Sequence, residues 1–265
     1  MTGAHPGGSQ AVNPGAAFWH ARYRQQARWT ADLRSALLRG ASLPTPARLL
    51  EVGSGTGVIT SDLVGRGLGS VFGLEIDQGS NVFAARYAPQ VRFVTGDALR
   101  MPFRDAAFDA CLCHFVVLWM RDPERMLEEM RRVTAPGGWV ACLAEPDYGG
   151  RIDYPEVLEP IGRLQAQALR RQGAQPMTGR RLLGLLTRAG LQQVTAGVLG
   201  GEWAADHDLE PNSLEWDTLR ADLAGTAEET LIPHLEAADR SARADRSRIL
   251  YVPTFYAHGR VPLPG

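Results

Sequence analysis

One glycine-rich run near the start of the chain constrains its fold more than any other feature. Residues 51–57 read EVGSGTG, follow two leucines and lead into Val58-Ile59. Alternate glycines let the backbone take positive φ and let a ligand approach where a Cβ would obstruct it. A helix beginning near Thr56 would point its unpaired N–H groups and positive dipole end at that ligand. The run therefore predicts a strand, a tight turn and a helix that together bind a nucleotide-like small molecule.

The spacing of the run separates it from two other glycine loops. A dinucleotide fingerprint requires G-x-G-x-x-G, but counting from Gly53 places Val58 where the third glycine should fall. A phosphate-binding P-loop requires a lysine, and all 28 basic residues of this chain are arginine. The missing lysine also excludes Schiff-base and pyridoxal-phosphate chemistry.

The remaining pattern, an acid followed by G-x-G-x-G at the end of a first strand, resembles motif I of the class I S-adenosylmethionine-dependent methyltransferases. The resemblance implies that S-adenosyl-L-methionine binds here and leaves as S-adenosyl-L-homocysteine. The residues of the run that it assigns to the cofactor are Glu51, Gly53, Ser54, Gly55 and Gly57.

A second strand should end in an acid that takes the ribose hydroxyls, about 20 residues further on, as in related nucleoside-binding folds. Residues 70–77 (SVFGLEID) supply Glu75 and Asp77. The family pattern of glycine, apolar residue and acid favours Glu75, with Ile76 beside it at the cofactor. Asp77 is then expected to cap the next helix.

Two further strands continue the pattern. Residues 91–94 lead into Thr95-Gly96-Asp97-Ala98. In the family that this resembles, Asp97 would accept from the adenine amino group and the Ala98 N–H would reach the ring. Residues 107–114 predict a fourth strand, which ends at His114 and brings this residue to the cofactor side.

The spacing of helix signals predicts the overall fold. Asp122-Pro123-Glu124 is a typical helix start, and residues 139–144 predict a fifth strand after that helix. Strands that alternate with helices indicate an α/β, Rossmann-like, doubly wound sheet, mostly parallel, with about seven strands. We expect an N-terminal helical segment, helical lid insertions and a ligand site at the carboxyl ends of the strands.

Composition favours one elaborated domain. Residues 1–15 are predicted to be a disordered tail and residues 16–265 a single methyltransferase domain with its core at 45–145. Insertions at about 150–178 and 205–245 would form a substrate lid or simply extend the core. Strands are predicted at 193–203 and 249–255. The helical stripe between residues 18 and 38 would pack on the sheet, or place Tyr23 over the cofactor's methionine end.

Net charge and cysteine content limit which partners and which compartment the sequence predicts. A net charge of −1 does not suggest nucleic-acid binding, and no apolar stretch is long enough for a membrane span. Three cysteines in predicted strands and the lack of a signal-peptide pattern suit a reducing cytoplasm. Cys111 and Cys113 would share one face of a strand as core residues, so no metal site is expected. The oligomeric state is not predicted.

Methyl transfer is an in-line displacement, so the main requirement is orientation of the acceptor. His114 is the first candidate for a general base, although it could instead contact only cofactor or backbone. Tyr148 and Asp147 follow the fifth strand and could face the substrate. Tyr148 is kept as a second catalytic candidate, whereas Glu145 could equally be a structural acceptor.

Three functions remain open from the sequence. A small-molecule methyltransferase is favoured by the ordered motifs and the predicted lid. A methyltransferase acting on RNA or protein would use the arginine-rich stretch 163–181, which could equally be a solvated helix face. A non-catalytic cofactor-binding protein, or an enzyme that uses the same sheet for another reaction, is the third.

Overall fold

The computed structural model describes residues 15–200 and 213–265. These residues form two compact units. The larger unit contains the described residues up to Glu145, together with Thr178–Leu199 and Thr254–Gly265. The second contains Pro146–Met177 and residues 213–253. Residues 1–14 of the predicted tail at 1–15 and residues 205–212 of the second predicted insertion lie outside the described residues.

The larger unit is built on a seven-stranded sheet. The strands of the described residues are β1 (Ala47–Val52), β2 (Gly69–Glu75), β3 (Arg92–Thr95), β4 (Phe108–Cys113), β5 (Thr134–Pro146), β6 (Ile152–Tyr154), β7 (Gln192–Leu199), β8 (Ile249–Tyr251) and β9 (Thr254–Arg260). The order in the seven-stranded sheet is β3-β2-β1-β4-β5-β9-β7. Strands β3, β2, β1, β4 and β5 pair in parallel, whereas β7 and β9 are antiparallel. Helices connect β1 to β2, β2 to β3 and β4 to β5, so the predicted Rossmann-like fold is confirmed.

Helices occur where the capping and apolar signals place them. Asp122 caps the helix that begins at Pro123, and Asp77 accepts from the Ser80 N–H at 2.7 Å, as predicted for a cap. The N-terminal helical segment is a pair of helices that meet at Thr30. The helices are α1 (Ala16–Trp29), α2 (Ala31–Gly40), α3 (Val58–Gly65), α4 (Gln78–Tyr87), α5 (Pro123–Val133), α6 (Pro160–Arg171), α7 (Leu182–Arg188), α8 (Ser213–Leu223) and α9 (Ile232–Ala244).

Each face of the main sheet carries its own apolar core. Alternation along β4 sends Cys111 and Cys113 to one face, where they pack with residues of α5 and α7. Leu112 points to the other face and packs with α2 and α3 residues. Cys111, Cys113 and Cys142 are buried free thiols, and burial raises the pKa of Cys111. The prediction that the strand cysteines are core residues is thus confirmed.

Two strand boundaries differ from the predictions. Residues 249–255 do not form one strand, because Pro253 separates β8 from β9 and cannot donate to a ladder. Strand β8 belongs to the second unit, whereas β9 enters the main sheet. Strand β5 begins at Thr134, five residues before the predicted start at Trp139. Its pairing with β4 shifts register between Thr134 and Trp139, and Gly137 in this stretch has a φ of +73°. Strand β7 ends at Leu199, and residues 201–203 lie outside the described part.

The second unit combines helices α6, α8 and α9 with the antiparallel pair β6–β8. Its segments overlap the predicted insertions, while their role as a lid stays a prediction. A buried ion network crosses the unit, in which the Asp153 carboxylate contacts Arg151 at 2.6 Å and Arg248 at 2.7 Å. Asp239 also contacts Arg248, and Glu215 contacts Arg151. No helix in the described residues has the length and apolar character needed to cross a membrane.

Candidate active site

The glycine run forms the turn between β1 and α3. Gly53, Gly55 and Gly57 all have positive φ, at +69°, +49° and +83°. Gly57 caps α3, and its N–H donates to the Ser54 carbonyl at 2.8 Å. A Cβ on Gly53 would lie 2.5 Å from Val116 Cγ2, so this turn needs glycine for space as well as conformation. The turn lies at the carboxyl end of β1, as the sequence predicts.

Glu75, at the end of β2, is bonded directly to this turn. Its Oε2 accepts from the Gly55 N–H at 2.9 Å, and its Oε1 accepts from the Asp77 N–H at 3.0 Å. The parallel register pairs Val52 with Leu74, which brings the two strand ends level. Of the two candidate acids, Glu75 lies at the turn and Asp77 caps α4.

Within the described part of the chain, Glu51 and Ser54 each carry a buried side-chain oxygen without a hydrogen-bond partner. Glu51 is 2% exposed, and its Oε2 has no hydrogen-bond partner among the described residues. Burial raises the pKa of Glu51 to about 8. The buried Ser54 Oγ likewise lacks a partner. Buried polar atoms in folded proteins are nearly always satisfied, so a polar group of a ligand would be expected here.

Helix α1 contacts the glycine turn through two aromatic side chains. A Cβ on Gly55 would lie 3.0 Å from Tyr23 Cε2, so the tyrosine ring lies against the turn. Burial, followed by the charges of Glu75 and Asp77, raises the pKa of Tyr23 to about 12. His20 is hydrogen-bonded to Thr56, with its Nδ1 2.9 Å from the hydroxyl. His20 belongs to no recognisable motif in the sequence, although its spacing of three residues from Tyr23 places both on one helix face.

The other predicted cofactor residues lie at the ends of β2 and β3. Ile76 is 63% exposed, immediately after Glu75. Asp97 is exposed, and its Oδ1 accepts from the Leu99 N–H at 2.8 Å. Gly96 donates to the Glu75 carbonyl at 3.0 Å, so Asp97 and Ala98 follow a direct contact with the β2 end. The structure thus brings these residues to the same edge of the sheet as the glycine turn.

His114 follows β4 and is held by the corner between α1 and α2. Its Nε2 lies 2.8 Å from Thr30 Oγ1, and Arg34 donates to the same hydroxyl at 3.0 Å. Arg34 also contacts Asp62 at 2.7 Å. Burial, followed by the Arg34 charge, lowers the pKa of His114 to about 3. His114 is therefore a neutral imidazole at pH 7 with one nitrogen already engaged.

Glu145, at the end of β5, is a structural acceptor. Its Oε1 accepts from the N–H groups of Val116 and Val117 at 2.8 Å each, and its Oε2 accepts from Leu118 at 3.2 Å. The carboxylate holds the segment that follows His114, including the Val116 side chain that fits against Gly53. Burial raises the pKa of Glu145 to about 7.

The two residues after β5 belong to the second unit. Asp147 is buried, and its Oδ1 accepts from the Gly149 N–H at 3.0 Å. Tyr148 is half-buried and donates its backbone N–H to the Pro176 carbonyl at 2.8 Å. A catalytic role for Tyr148 stays a prediction.

Comparison with known proteins agrees with this geometry. A family model described as a methyltransferase domain matches residues 50–142, from the middle of β1 to β5. Residues 50–142 of the chain thus match a methyltransferase domain. The matched range of this methyltransferase domain contains the glycine turn, Glu75, Asp97 and His114. It ends before Glu145 and the second unit.

Relatives of the methyltransferase domain include two proteins named demethylmenaquinone methyltransferase. That of Renibacterium salmoninarum is 37% identical over 114 residues, which cover 42% of this chain and 48% of the relative. That of Deinococcus radiodurans is 34% identical over 143 residues, covering 49% of this chain and 59% of the relative. The matched stretch therefore spans less than two thirds of either relative.

Solved structures share the fold of the methyltransferase domain. The YcgJ protein from Bacillus subtilis superposes with a TM-score of 0.60 at 16% identity, covering 89% of this chain and all of that one. Phosphoethanolamine N-methyltransferase 2 of Haemonchus contortus, solved in complex with S-adenosyl-L-methionine, gives 0.57 at 13% identity over 88% of this chain and 52% of that chain. At these identities the likeness concerns the fold alone.

Proposed function

We propose that this protein transfers a methyl group from S-adenosyl-L-methionine to a small-molecule acceptor. The observation that carries the proposal is the contact of the Glu75 carboxylate with the Gly55 N–H at the glycine turn. This contact places an acid that can accept from ribose hydroxyls beside a turn that admits a ligand closely. The methyltransferase domain match and the names of the relatives support the same function.

The polar atoms at the turn fit this cofactor. In residues 15–200 and 213–265 the buried Glu51 Oε2 has no hydrogen-bond partner, and the amino-acid end of S-adenosyl-L-methionine carries an ammonium group that would satisfy it. Ser54 Oγ would contact the same end. Glu75 would hold the ribose, while Asp97 and the Ala98 N–H would hold the adenine with Ile76 beside it. The bound cofactor would supply an electrophilic methyl group on its sulfonium.

The chain's own residues orient the partners and exclude water. Tyr23 covers the glycine turn from α1, and the bond between His20 and Thr56 fixes that helix to the turn. His114 is assigned a positioning role, because its Nε2 is engaged by Thr30 and its lowered pKa makes it a weak base. Positioning alone can contribute most of the acceleration in an in-line displacement.

We assign selection of the methyl acceptor to segments outside residues 50–142, the range that the methyltransferase family model matches. Two relatives are named demethylmenaquinone methyltransferase. The first acceptors to test are therefore quinol-type rings that carry a transferable proton on oxygen or carbon. Binding of RNA has less support, since Arg163 and Arg170 lie on the exposed face of α6, as is typical of a solvated helix. We propose that no nucleic acid is bound as substrate and that the protein acts in the cytoplasm.

Calorimetry with S-adenosyl-L-methionine and S-adenosyl-L-homocysteine tests the cofactor, and transfer of a radiolabelled methyl group tests the reaction. We expect both ligands to bind and the label to reach a quinol-type or other small aromatic acceptor. Absence of binding would refute the assignment of the turn. Binding without transfer to any acceptor in a broad panel, including RNA and protein, would favour the non-catalytic function.

The Glu51 contact has a specific signature in the same calorimetry. The pKa of Glu51 is about 8 in the free protein, so the side chain is mostly protonated at pH 6.5. An ammonium group beside it would lower that pKa, and binding should release a proton. Titrations in buffers of different ionisation enthalpy count this proton. In Glu51→Gln the release should disappear, whereas unchanged release would place the ammonium elsewhere.

A further inference from the structure

Phe115, two residues after the end of β4, has a backbone conformation that phenylalanine rarely adopts. Its φ is +57°, in the left-handed region, where a bulky side chain is an outlier. The other non-glycine residues with positive φ in the described part of the chain are Ser42, Ala106, Gln193 and Arg246, none of which is aromatic. Strained residues of this kind cluster at ligand-binding and catalytic sites. The conformation makes Phe115 a candidate functional residue.

Two consecutive residues at the end of β5 fix this conformation. The Phe115 N–H donates to the Ala144 carbonyl at 2.8 Å. The next three N–H groups, those of residues 116–118, donate to the Glu145 carboxylate. Strain persists only where the surrounding contacts over-determine the backbone, and four successive donors held by β5 meet that requirement. The direction in which the Phe115 side chain leaves the backbone is therefore fixed.

The Phe115 side chain is not part of the apolar cores. It is half-buried, and among the described residues it belongs neither to the three buried apolar clusters nor to the side chains packed against them. Its ring contacts the His114 imidazole, with 4.7 Å between the centroids and 73° between the planes. Thr30 in turn holds His114. A fixed neighbour thus supports the ring, while part of the residue stays accessible to a ligand.

Phe115 lies where the strand order of the sheet reverses. From β1 the chain builds β2 and β3 on one side, and then returns to place β4 on the other side of β1. The parallel register pairs Val52 with Cys113, so the glycine turn and the Phe115 segment leave their strands level with each other. Ligands of doubly wound sheets bind in the crevice at such a reversal.

The two sides of this reversal differ in charge. Glu75 and Asp97, which we assign to the ribose and the adenine, lie on the β2 and β3 side. Residues 114–120 on the β4 side read HFVVLWM and contain no acid and no arginine. His114 is neutral at pH 7 because its pKa is lowered, and the Glu145 carboxylate is engaged by three N–H groups. The β4 side therefore suits an uncharged, apolar group.

We propose that the Phe115 ring contacts the methyl acceptor and orients a flat, uncharged ring of it towards the methyl donor. This inference rests on the proposed methyl transfer and adds a residue to the acceptor side of the site. Packing between two aromatic rings is directional, so a fixed ring orients a planar acceptor for in-line displacement. Selection of the acceptor stays with segments outside residues 50–142, whereas Phe115 acts on the ring once it is bound.

Calorimetry on the full chain saturated with S-adenosyl-L-homocysteine tests the contact, with naphthohydroquinone as the acceptor probe. We expect one site for the probe. Phe115→Gly should weaken it at least about tenfold, since both the ring contact and the buried apolar area are lost. Phe115→Tyr keeps a flat ring and should stay within about threefold. The affinity for S-adenosyl-L-homocysteine should be unchanged in both variants, which a merely structural role of Phe115 would not allow.

Gln193→Gly is the matched control. It also replaces a strained residue by glycine, at a φ of +52°, but it lies in β7 and should leave the affinity for the probe unchanged. Transfer of a radiolabelled methyl group to the probe tests orientation. Phe115→Leu keeps an apolar side chain without a flat ring, and at saturating probe it should lower kcat at least about tenfold. Phe115→Tyr should retain most of kcat.

Several results would overturn the inference while S-adenosyl-L-homocysteine still binds and the proposed function stands. They are equal probe affinity in Phe115→Gly and Gln193→Gly, unchanged kcat in Phe115→Leu, and tighter binding of the small cation ethanolamine than of naphthohydroquinone. Absence of probe binding at millimolar concentration would overturn it as well. A parallel loss of S-adenosyl-L-homocysteine affinity in Phe115→Gly would show that Phe115 only supports the glycine turn. Failure of the unmodified chain to bind S-adenosyl-L-homocysteine would refute the proposed function and this inference together.

Discussion

The carboxylate of Glu75 accepts a hydrogen bond from the backbone N–H of Gly55 at 2.9 Å. The two residues come from different strand ends, and the parallel pairing of β1 with β2 is what brings them together. The same carboxylate therefore has two assigned tasks: it holds the glycine turn, and in the proposed function it would bind the cofactor's ribose.

Two substitutions of Glu75 should distinguish its contact with the glycine turn from its proposed contact with the ribose. Glu75→Ala is expected to raise the Kd for S-adenosyl-L-methionine at least tenfold, or about 1.4 kcal/mol. Glu75→Gln keeps an acceptor for the Gly55 N–H and should show a smaller loss. Asp77→Asn is the control, because asparagine still caps α4 and the affinity should stay within about twofold. A larger effect of Asp77→Asn than of Glu75→Ala would reverse the assignment of the two acids.

Substitution of Gly53 in the glycine turn should destabilise the protein more than its positive φ alone would. Gly53 and Gly67 have φ values of +69° and +67°, but a Cβ meets Val116 at 2.5 Å only at Gly53, whereas nothing lies within 4 Å at Gly67. Gly67→Ala should therefore cost about 1–2 kcal/mol for the left-handed conformation. Gly53→Ala should cost about 2–4 kcal/mol, since overpacking adds to that strain. Urea denaturation measures both, and equal losses would contradict the steric argument.

Glu51 should make the protein less stable as the pH rises. Its pKa is about 8 in the folded chain and 4.5 ordinarily, so the folded state holds the proton more tightly between these values. The free energy of unfolding should therefore fall from about pH 4.5 to about pH 8. Glu51→Gln should flatten this slope and stabilise the protein at pH 8. Glu145 contributes in the same direction, so part of the slope should remain.

The control for this pH dependence is Glu128→Gln, which changes an exposed surface carboxyl. Its unfolding curves should follow the unmodified chain at every pH. If Glu51→Gln also followed it, Glu51 would have an ordinary pKa in the folded chain, and the burial argument would be wrong.

His114 should make the protein less stable as the pH falls, the opposite of the effect of Glu51. Its pKa is lowered from 6.5 to about 3, so the unfolded chain binds the proton more readily in that window. Stability should fall as the pH drops from about 6.5 towards 3. His114→Gln should reduce this loss, with the exposed His234→Gln as the unaffected control. Thermal unfolding at pH 4, 5 and 7 distinguishes the variants, and identical acid sensitivity in His114→Gln would contradict the prediction.

The ion network of the second unit should be sensitive to loss of one charge. Asp153 is nearly fully buried between Arg151 and Arg248. These arginines also contact Glu215 and Asp239, and Asp239 pairs with Arg243 as well, so Asp153→Asn leaves three guanidinium groups with two carboxylates. We expect a loss of about 3–5 kcal/mol. Asp217→Asn is the control, because its pair with Arg220 is exposed and should contribute at most about 1 kcal/mol. A comparable loss in both variants by urea denaturation would argue against a special role for the buried network.

The sequence predicted the fold of the larger unit because its signals are local. The G-x-G-x-G turn, the caps at Asp77 and Asp122, and the alternation of Cys111 and Cys113 all depend on neighbours within a few residues. The strand break at Pro253 carried a local signal too, since proline lacks the N–H that a strand needs. The transfer of β9 into the main sheet did not, because it depends on pairing with β7 about 60 residues earlier.

The contacts that complete the candidate site join residues far apart in the chain. His20 meets Thr56 across 36 positions, and Thr30 meets His114 across 84. Hydrogen bonds of this kind leave no periodic pattern, because a histidine or threonine on a helix is compatible with many environments. The sequence placed His114 at a strand end, but its lowered pKa and its engagement by Thr30 arise from burial and from the α1–α2 corner.

The sequence by itself determined the order of elements, the glycine turn and the acids at the strand ends, since backbone conformation and strand alternation are encoded locally. The tertiary structure alone decided what each acid does. Glu75 accepts a hydrogen bond from the turn, and Glu145 holds the segment after His114. Glu51 is buried with one oxygen that no described residue hydrogen-bonds. The physical reason is that burial, hydrogen bonding and pKa depend on which distant segments pack around a side chain.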